Sequence, residues 1–150
     1  VFDTAFHATM PPEASAYALP ETWREAWGIR RYGFHGLAVA SVADRVDVRR
    51  LVVCHLGGGC SVTAVDRGRS VDTSMGLTPL EGLMMGSRAG SIDPGIVFHL
   101  ARRGLSLAAM EEGLTNGSGL RGVGGTEDVR FLLKSETAGD ARVISPSSFR

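Results

Sequence analysis

Three polar side chains stand in settings that invite chemistry. His55 lies near the end of an apolar, β-branched run, Leu51-Val52-Val53-Cys54-His55-Leu56, and Gly57-Gly58-Gly59 follows at once. Glycines there let the backbone turn sharply and approach a ligand closely, because no Cβ intervenes. Successive backbone N–H groups in such a turn can face an anion. His35 sits in Tyr32-Gly33-Phe34-His35-Gly36, an aromatic–His pair between two glycines. Arg88 closes a run from Ser70 that holds more Gly, Ser, Thr and Met than a core demands. A guanidinium is a planar, permanently charged fork suited to oxyanions. Residues 51–94 therefore read as a phosphate-handling platform.

Each of these residues also has a plainer reading. Pattern alone leaves His35 open between packing and catalysis. His55 in an apolar strand fits a hydrogen-bonded core histidine as well as a phosphate contact. An arginine in a glycine-rich loop is often a salt-bridge partner. His7 and His99 read as structural, and Met75, Met84 and Met85 as core filler.

The elements that must position these groups follow from periodicity and caps. Residues 51–56 and 60–65 are strands joined by the glycine turn, with a second turn at Arg67-Gly68. Residues 1–7 read as a strand end opening into a loop stopped by Pro11-Pro12. Glu21 to Trp27 reads as a short helix ending at Gly28, with Trp23 and Trp27 on one face. Apolar positions 39, 42, 43 and 46 predict a helix over 37–46. Thr78-Pro79-Leu80-Glu81 has the form of a capping box and predicts a helix over 80–85. Asp93-Pro94 opens another helix to Arg103, and Ser106 caps one through about Leu114. Asn116 to Gly125 reads as a glycine-rich loop. A last helix starts at Thr126 or Glu127 and runs toward Ser135.

Composition narrows the classes. The 150 residues hold 43% hydrophobic and 21% charged side chains, ordinary for one globular domain, but 20 glycines are about twice the usual share. Formal net charge is zero, and of the 16 Lys and Arg side chains all except Lys134 are arginine. No basic stripe appears, which argues against a nucleic-acid partner. No run of 18 apolar residues and no signal peptide is present, so a cytoplasmic protein without a membrane segment is expected. Cys54 and Cys60 suit neither a zinc site nor a disulfide framework and read as two buried thiols. The chain begins Val-Phe-Asp, which suggests a fragment.

Phe2-Asp3-Thr4-Ala5-Phe6-His7, Tyr32-Gly33-Phe34-His35-Gly36, His55-Leu56-Gly57-Gly58-Gly59 and the block from Ser70 to Asp93 resemble, in order and spacing, the acetate kinase family. The resemblance runs from residue 1 to about 142. It implies an α/β fold, an incomplete ribonuclease-H-like lobe of the actin-like, sugar-kinase-like ATPase fold. Residues 1–150 would be a single partial domain, the lobe junction plus the first part of the nucleotide-binding lobe, with a divergent tail over 143–150. The implied reaction is ATP-dependent phosphorylation of acetate to acetyl phosphate, with ADP as the other product and Mg²⁺ as cofactor. The intact protein would be a homodimer. An inactive remnant and a propionate- or butyrate-type kinase are the alternatives.

The resemblance also assigns residues. Asp3, His35 and Arg88 take the catalytic positions, with His35 and Arg88 on the transferring phosphoryl group. Such a transition state spreads charge over equatorial oxygens, so catalysis rests on positioning and cationic clamping. Acetate is already ionised at neutral pH, so Asp3 is expected to organise Mg²⁺, its waters or Arg88 rather than take a proton. His55, Leu56, Gly57, Gly58, Gly59, Asp128, Val129 and Arg130 match nucleotide-contacting positions. Phe34 and Pro79 match the pocket for the substrate methyl. No direct metal ligand is assigned within the chain, Asp3 acting at most through water. Two departures stand out. Gly58 replaces the family's usual Asn, as in related butyrate kinases. The tail from Val143 departs from the family's apolar helix. The absent segments would carry the adenine pocket and the opposing lobe, so the isolated chain is expected to fold at least partly but not to catalyse.

Overall fold

The computed structural model describes residues 2–137 and divides the chain into two compact units, Val1–Leu83 and Met84–Arg150. The first unit is built on a three-stranded antiparallel sheet: β1 (Arg50–Leu56), β2 (Cys60–Asp66) and β3 (Arg69–Thr73), in that spatial order. The register pairs His55 with Ser61 and Leu56 with Cys60 around the glycine turn, and a bulge interrupts the β2–β3 ladder at Ala64/Val65. Period-two alternation sends Leu51, Val53, Ser61, Thr63 and Val65 inward, while Val52, Cys54 and Leu56 face out. Cys54 is thus exposed and Cys60 half-buried, which corrects the reading of two buried thiols.

The inward face changes character along the strands. Near Arg50 it is apolar: Val53 and Val65 pack with Val39, and Phe6, Ala43 and Leu51 close around them. Toward the glycine turn it is polar, and burial there demands hydrogen bonds. Thr63 and Thr73 bond through their hydroxyls at 2.8 Å.

Helices and turns cover this face. Residues 5–9 form a 3-10 turn (Ala5–Thr9) rather than a strand end, because the N–H groups of Ala5 and His7 close back on the carbonyls of Phe2 and Thr4. One helical turn, α1 (Pro12–Ser15), starts at Pro12, where proline serves as the first helical residue. α2 (Glu21–Trp27) ends as predicted at a left-handed Gly28, and Trp23 and Trp27 touch at 6.1 Å on its exposed face. α3 (Gly36–Ala43) packs on β1 and the 3-10 turn and is shorter than the predicted 37–46.

No helix forms over 80–85. The Glu81 carboxylate that a capping box would turn back on its own helix is held instead by Arg31 and Tyr17. Gly82, at φ 109°, sits against the Ser74 carbonyl, a backbone angle outside the helical range.

In the second unit α4 (Gly95–Arg102) begins after Asp93, whose carboxylate accepts from the Gly95 N–H at 2.8 Å. α5 (Leu107–Asn116) is capped by Ser106, whose hydroxyl accepts from the Ala109 N–H at 3.2 Å. The predicted glycine-rich loop contains a helix, α6 (Gly119–Gly124). Its leading N–H groups, on Leu120 and Arg121, donate to the carbonyls of Met85 and Gly86, so tertiary bonds override poor intrinsic propensity. Gly119, at φ 62°, is required there: a Cβ would come within 2.1 Å of the Met85 carbonyl. α7 (Val129–Thr137) follows Asp128. The divergent tail expected over 143–150 lies outside the described residues.

Candidate functional site

The candidate site centres on His35. This residue precedes α3 with φ 61°, a left-handed conformation that costs a non-glycine residue energy unless its surroundings hold it. Asp3 holds it. The Asp3 carboxylate accepts from the His35 N–H at 2.6 Å and from the Leu37 N–H at 3.5 Å, while the Asp3 carbonyl accepts from the Gly36 N–H at 2.9 Å. One residue, distant in sequence, thereby satisfies the leading donors of α3, which no side chain of the helix itself caps. Gly36 makes this approach possible, since a Cβ there would lie 2.2 Å from the Asp3 carbonyl.

His7 supports the same loop from beneath. It is 1% exposed, with Nδ1 2.9 Å from the Ser70 hydroxyl and Nε2 2.9 Å from the Phe34 carbonyl. A carbonyl only accepts, so Nε2 carries the hydrogen and the serine donates to Nδ1. Burial pulls the His7 pKa below its ordinary value, against the opposing effects of the Phe34 carbonyl and Asp3. The neutral ring thus fixes the carbonyl immediately before His35, a structural role of the kind expected for it.

The His35 ring meets both strands of the glycine hairpin. It stacks on the His55 ring, with centroids 4.0 Å apart and planes inclined by 20°. Its Nδ1 lies 3.0 Å from the hydroxyl of Ser61, which is fully buried. Both imidazoles are half-buried, at the end of the hairpin where Gly57, Gly58 and Gly59 turn. The Gly57 N–H donates to the Gly59 carbonyl at 3.1 Å, and a Cβ at Gly58 would meet nothing within 4 Å. Gly58 has neither a positive φ nor crowding, so nothing in this chain excludes a side chain there.

Pro79 lies in a loop clamped by one arginine. The Arg31 guanidinium donates to the carbonyls of Thr73, Ser74 and Met75 at 3.1, 3.1 and 3.3 Å and pairs with Glu81 at 3.0 Å. It also lies 5.5 Å over the Tyr17 ring. The Tyr17 hydroxyl donates to Glu81 and accepts from the Leu77 N–H at 2.9 Å. Burial, then the Glu81 contact, pushes the Tyr17 phenol up to about 12. Met75 is fully buried beside this clamp, as expected of a core-filling side chain.

Of the residues singled out from sequence, the first unit therefore brings Asp3, His35 and His55 together, with Phe34 next to His35 in the same loop and Leu56 exposed at the end of β1. Arg88 and Asp128–Arg130 belong to the second unit. Arg88 is half-buried, on the segment whose Met85 and Arg88 carbonyls pack against Gly119. Asp128 starts α7: its Oδ1 accepts from the Arg130 N–H at 2.9 Å and from Nε at 3.0 Å, and its Oδ2 from the guanidinium at 2.9 Å. These bonds from Arg130 hold the Asp128 carboxyl down at about 2. Val129 and Arg130 are exposed. Among the described residues no group of three or more His, Cys, Asp or Glu side chains is arranged to hold a metal ion. No helix among them is long and apolar enough to cross a membrane.

The sequence reading passed over Ser61, Ser70 and the Tyr17–Arg31–Glu81 clamp. The signal for Ser61 was present: it and His55 stand three residues either side of Gly58, opposite each other in a hairpin centred there.

The sequence model of the Acetokinase family matches residues 1–145. Acetate kinase of Synechococcus sp. (strain JA-2-3B'a(2-13)) is 52% identical over 151 aligned residues, covering 95% of this chain and 37% of that protein. The crystal structure of Porphyromonas gingivalis acetate kinase superposes with a TM-score of 0.88 at 40% identity, covering 95% of this chain and 38% of that one. A propionate kinase from Francisella tularensis subsp. tularensis SCHU S4 gives 0.89 at 42% identity, covering 95% and 39%. The chain spans well under half the length of each, and over that portion it has the mixed α/β, actin-like ATPase fold of these kinases.

Proposed function

Because the chain belongs to the acetokinase family, we propose that the protein containing it transfers the γ-phosphoryl group of ATP reversibly to acetate, giving acetyl phosphate and ADP. What supports the reading in the geometry is the convergence, at one end of a hairpin, of an open glycine turn with two stacked imidazoles. Such an end offers little steric bulk and two imidazole edges to a group carrying several anionic oxygens.

In this reading His35 donates a hydrogen bond to the transferring group and Arg88 clamps its equatorial oxygens. His55, Leu56 and Gly57–Gly59 hold the ATP phosphates, and Asp128, Val129 and Arg130 contact the nucleotide. Phe34 and Pro79 line the pocket for the acetate methyl. Mg²⁺, when bound, would offset charge on the ATP phosphates. Asp3 is the residue of this chain fitted to reach it through water, since each carboxylate oxygen keeps lone pairs beyond its backbone bond. Its first task here is to hold the His35 backbone. The chain would form the lobe junction and first part of the nucleotide-binding lobe in a cytoplasmic homodimer, with no nucleic-acid or membrane partner. A second reading, a propionate- or butyrate-type kinase, is favoured by the Francisella tularensis propionate kinase likeness and by glycine at position 58, where related butyrate kinases also carry glycine.

The test is made in the complete kinase containing this chain, by trapping acyl phosphate with hydroxylamine. Arg88→Ala should lower kcat about 10³-fold, the scale of losing a cationic clamp on phosphoryl transfer, and Arg88→Lys should restore little. Comparing kcat/KM for acetate, propionate and butyrate in the wild-type enzyme decides between the two readings. Near-normal kcat in Arg88→Ala would defeat the assignment of Arg88.

A further inference from the structure

We propose that Ser61 is a positioning residue for His35, its hydroxyl setting the tautomer and direction of the imidazole. The proposal rests on the reading that His35 meets the transferring phosphoryl group.

Ser61 on β2 is the register partner of His55 on β1, and directly opposed residues project to the same face of a sheet. That rung forms a two-point seat. His55 lies flat against the His35 ring at 4.0 Å and limits its tilt. Ser61, at 3.0 Å from Nδ1, limits rotation within the ring plane. The Asp3 carboxylate fixes the backbone from which the ring hangs. Ser61 is 0% exposed, so its hydroxyl cannot turn to bulk water and must bond within the protein. The inward neighbour on the same strand, Thr63, is already engaged with Thr73.

The chemical consequence concerns which nitrogen carries hydrogen. A neutral imidazole has one donor and one acceptor nitrogen, chosen by the bond that the other makes. When Ser61 donates to Nδ1, the hydrogen resides on Nε2, which then serves as donor toward an anionic oxygen. When the ring is an imidazolium, the serine oxygen accepts from Nδ1–H, and Nε2–H is again a donor. Alanine at position 61 removes this control while deleting a single heavy atom. A neutral ring is then able to carry its hydrogen on Nδ1 and turn a lone pair toward the phosphoryl oxygens.

The experiment is a double-mutant cycle in the complete kinase, with Ser61→Ala, His35→Ala and the combined variant. Ser61→Ala should lower kcat about 10- to 100-fold, the scale seen when a partner that orients a histidine is removed. KM for ATP and for the carboxylate should stay within about twofold. The combined variant should be no slower than His35→Ala, because groups acting as one unit are not additive. In the ¹⁵N-histidine-labelled enzyme, the His35 signal should report the Nε2–H form in the wild type and a mixture in Ser61→Ala. Losses that add in the combined variant would show that Ser61 acts apart from His35 and overturn the proposal. An impaired His35→Ala beside a Ser61→Ala enzyme of undiminished kcat would overturn it too, leaving the reading of His35 intact. Undiminished kcat in His35→Ala would overturn both.

Discussion

Replacing Asp3 tests how much of the site depends on a remote cap. Its carboxylate accepts from the N–H groups of His35 and Leu37, and its carbonyl takes the N–H of Gly36 between them. A hydrogen bond to a charged group contributes about 1.5–3 kcal/mol. The 2.6 Å bond to His35 belongs in that range, while the 3.5 Å contact to Leu37 adds little. A negative charge at a helix N-terminus adds a further contribution of about 0.3–1 kcal/mol. Asp3→Ala removes the carboxylate and leaves the carbonyl, so the start of α3 should open more easily by about 2–3 kcal/mol. Asp3→Asn keeps a side-chain carbonyl but loses the charge, for a cost of about 1 kcal/mol. Native-state amide exchange reads this directly, since about 1.4 kcal/mol corresponds to a tenfold change in an opening equilibrium. The His35 amide should exchange about 30- to 150-fold faster in the alanine variant and about fivefold faster in the asparagine variant. In acetyl phosphate formation both variants should be severely impaired, with a shifted Mg²⁺ dependence and no recovery as pH is raised. Unchanged His35 exchange in Asp3→Ala would refute the capping argument. A wild-type kcat following a single Asp3 titration, with unchanged Mg²⁺ dependence in the asparagine variant, would refute the view that Asp3 does not take a proton.

Two further outcomes follow from the first unit. Arg31→Lys should destabilise it by about 2–4 kcal/mol and raise KM for the carboxylate, because one ammonium cannot reach three carbonyls and Glu81 at once; an unchanged urea midpoint would contradict the clamp. Burial holds the folded His7 pKa below the unfolded value of about 6.5, so the unfolded chain takes the proton first, and the stabilisation present above that pH is lost as pH falls through the folded value; the urea midpoint should drop on acidification in the wild type, and His7→Gln should lack that component.

What could be read from the residues, and what could not, divides by the range of the forces involved. The hairpin was legible because β-branched alternation on either side of Gly57-Gly58-Gly59 is a local signal, and a local turn sets its register. The caps at Asp93 and Ser106 were legible for the same reason, since each bonds within a few residues. The helix expected over 80–85 failed because its capping box is a local motif whose glutamate was taken by partners far away in the chain, Arg31 and Tyr17. α6 failed in the opposite direction: a glycine-rich segment with poor propensity was made helical by the Met85 and Gly86 carbonyls. The same division runs through the site. His35 and His55 drew attention through their own glycine neighbours, but the groups that hold His35 come from two distant segments: Asp3 and, through the Phe34 carbonyl, His7 near the N-terminus, and Ser61 on β2. A left-handed residue with a stacked ring is poorly specified by its own sequence and depends on that convergence. A candidate group can therefore be named from a short motif, whereas its direction in space is a tertiary property. Substitutions at Asp3, Ser61 or His7 should accordingly redirect His35 without touching the motif by which it is recognised.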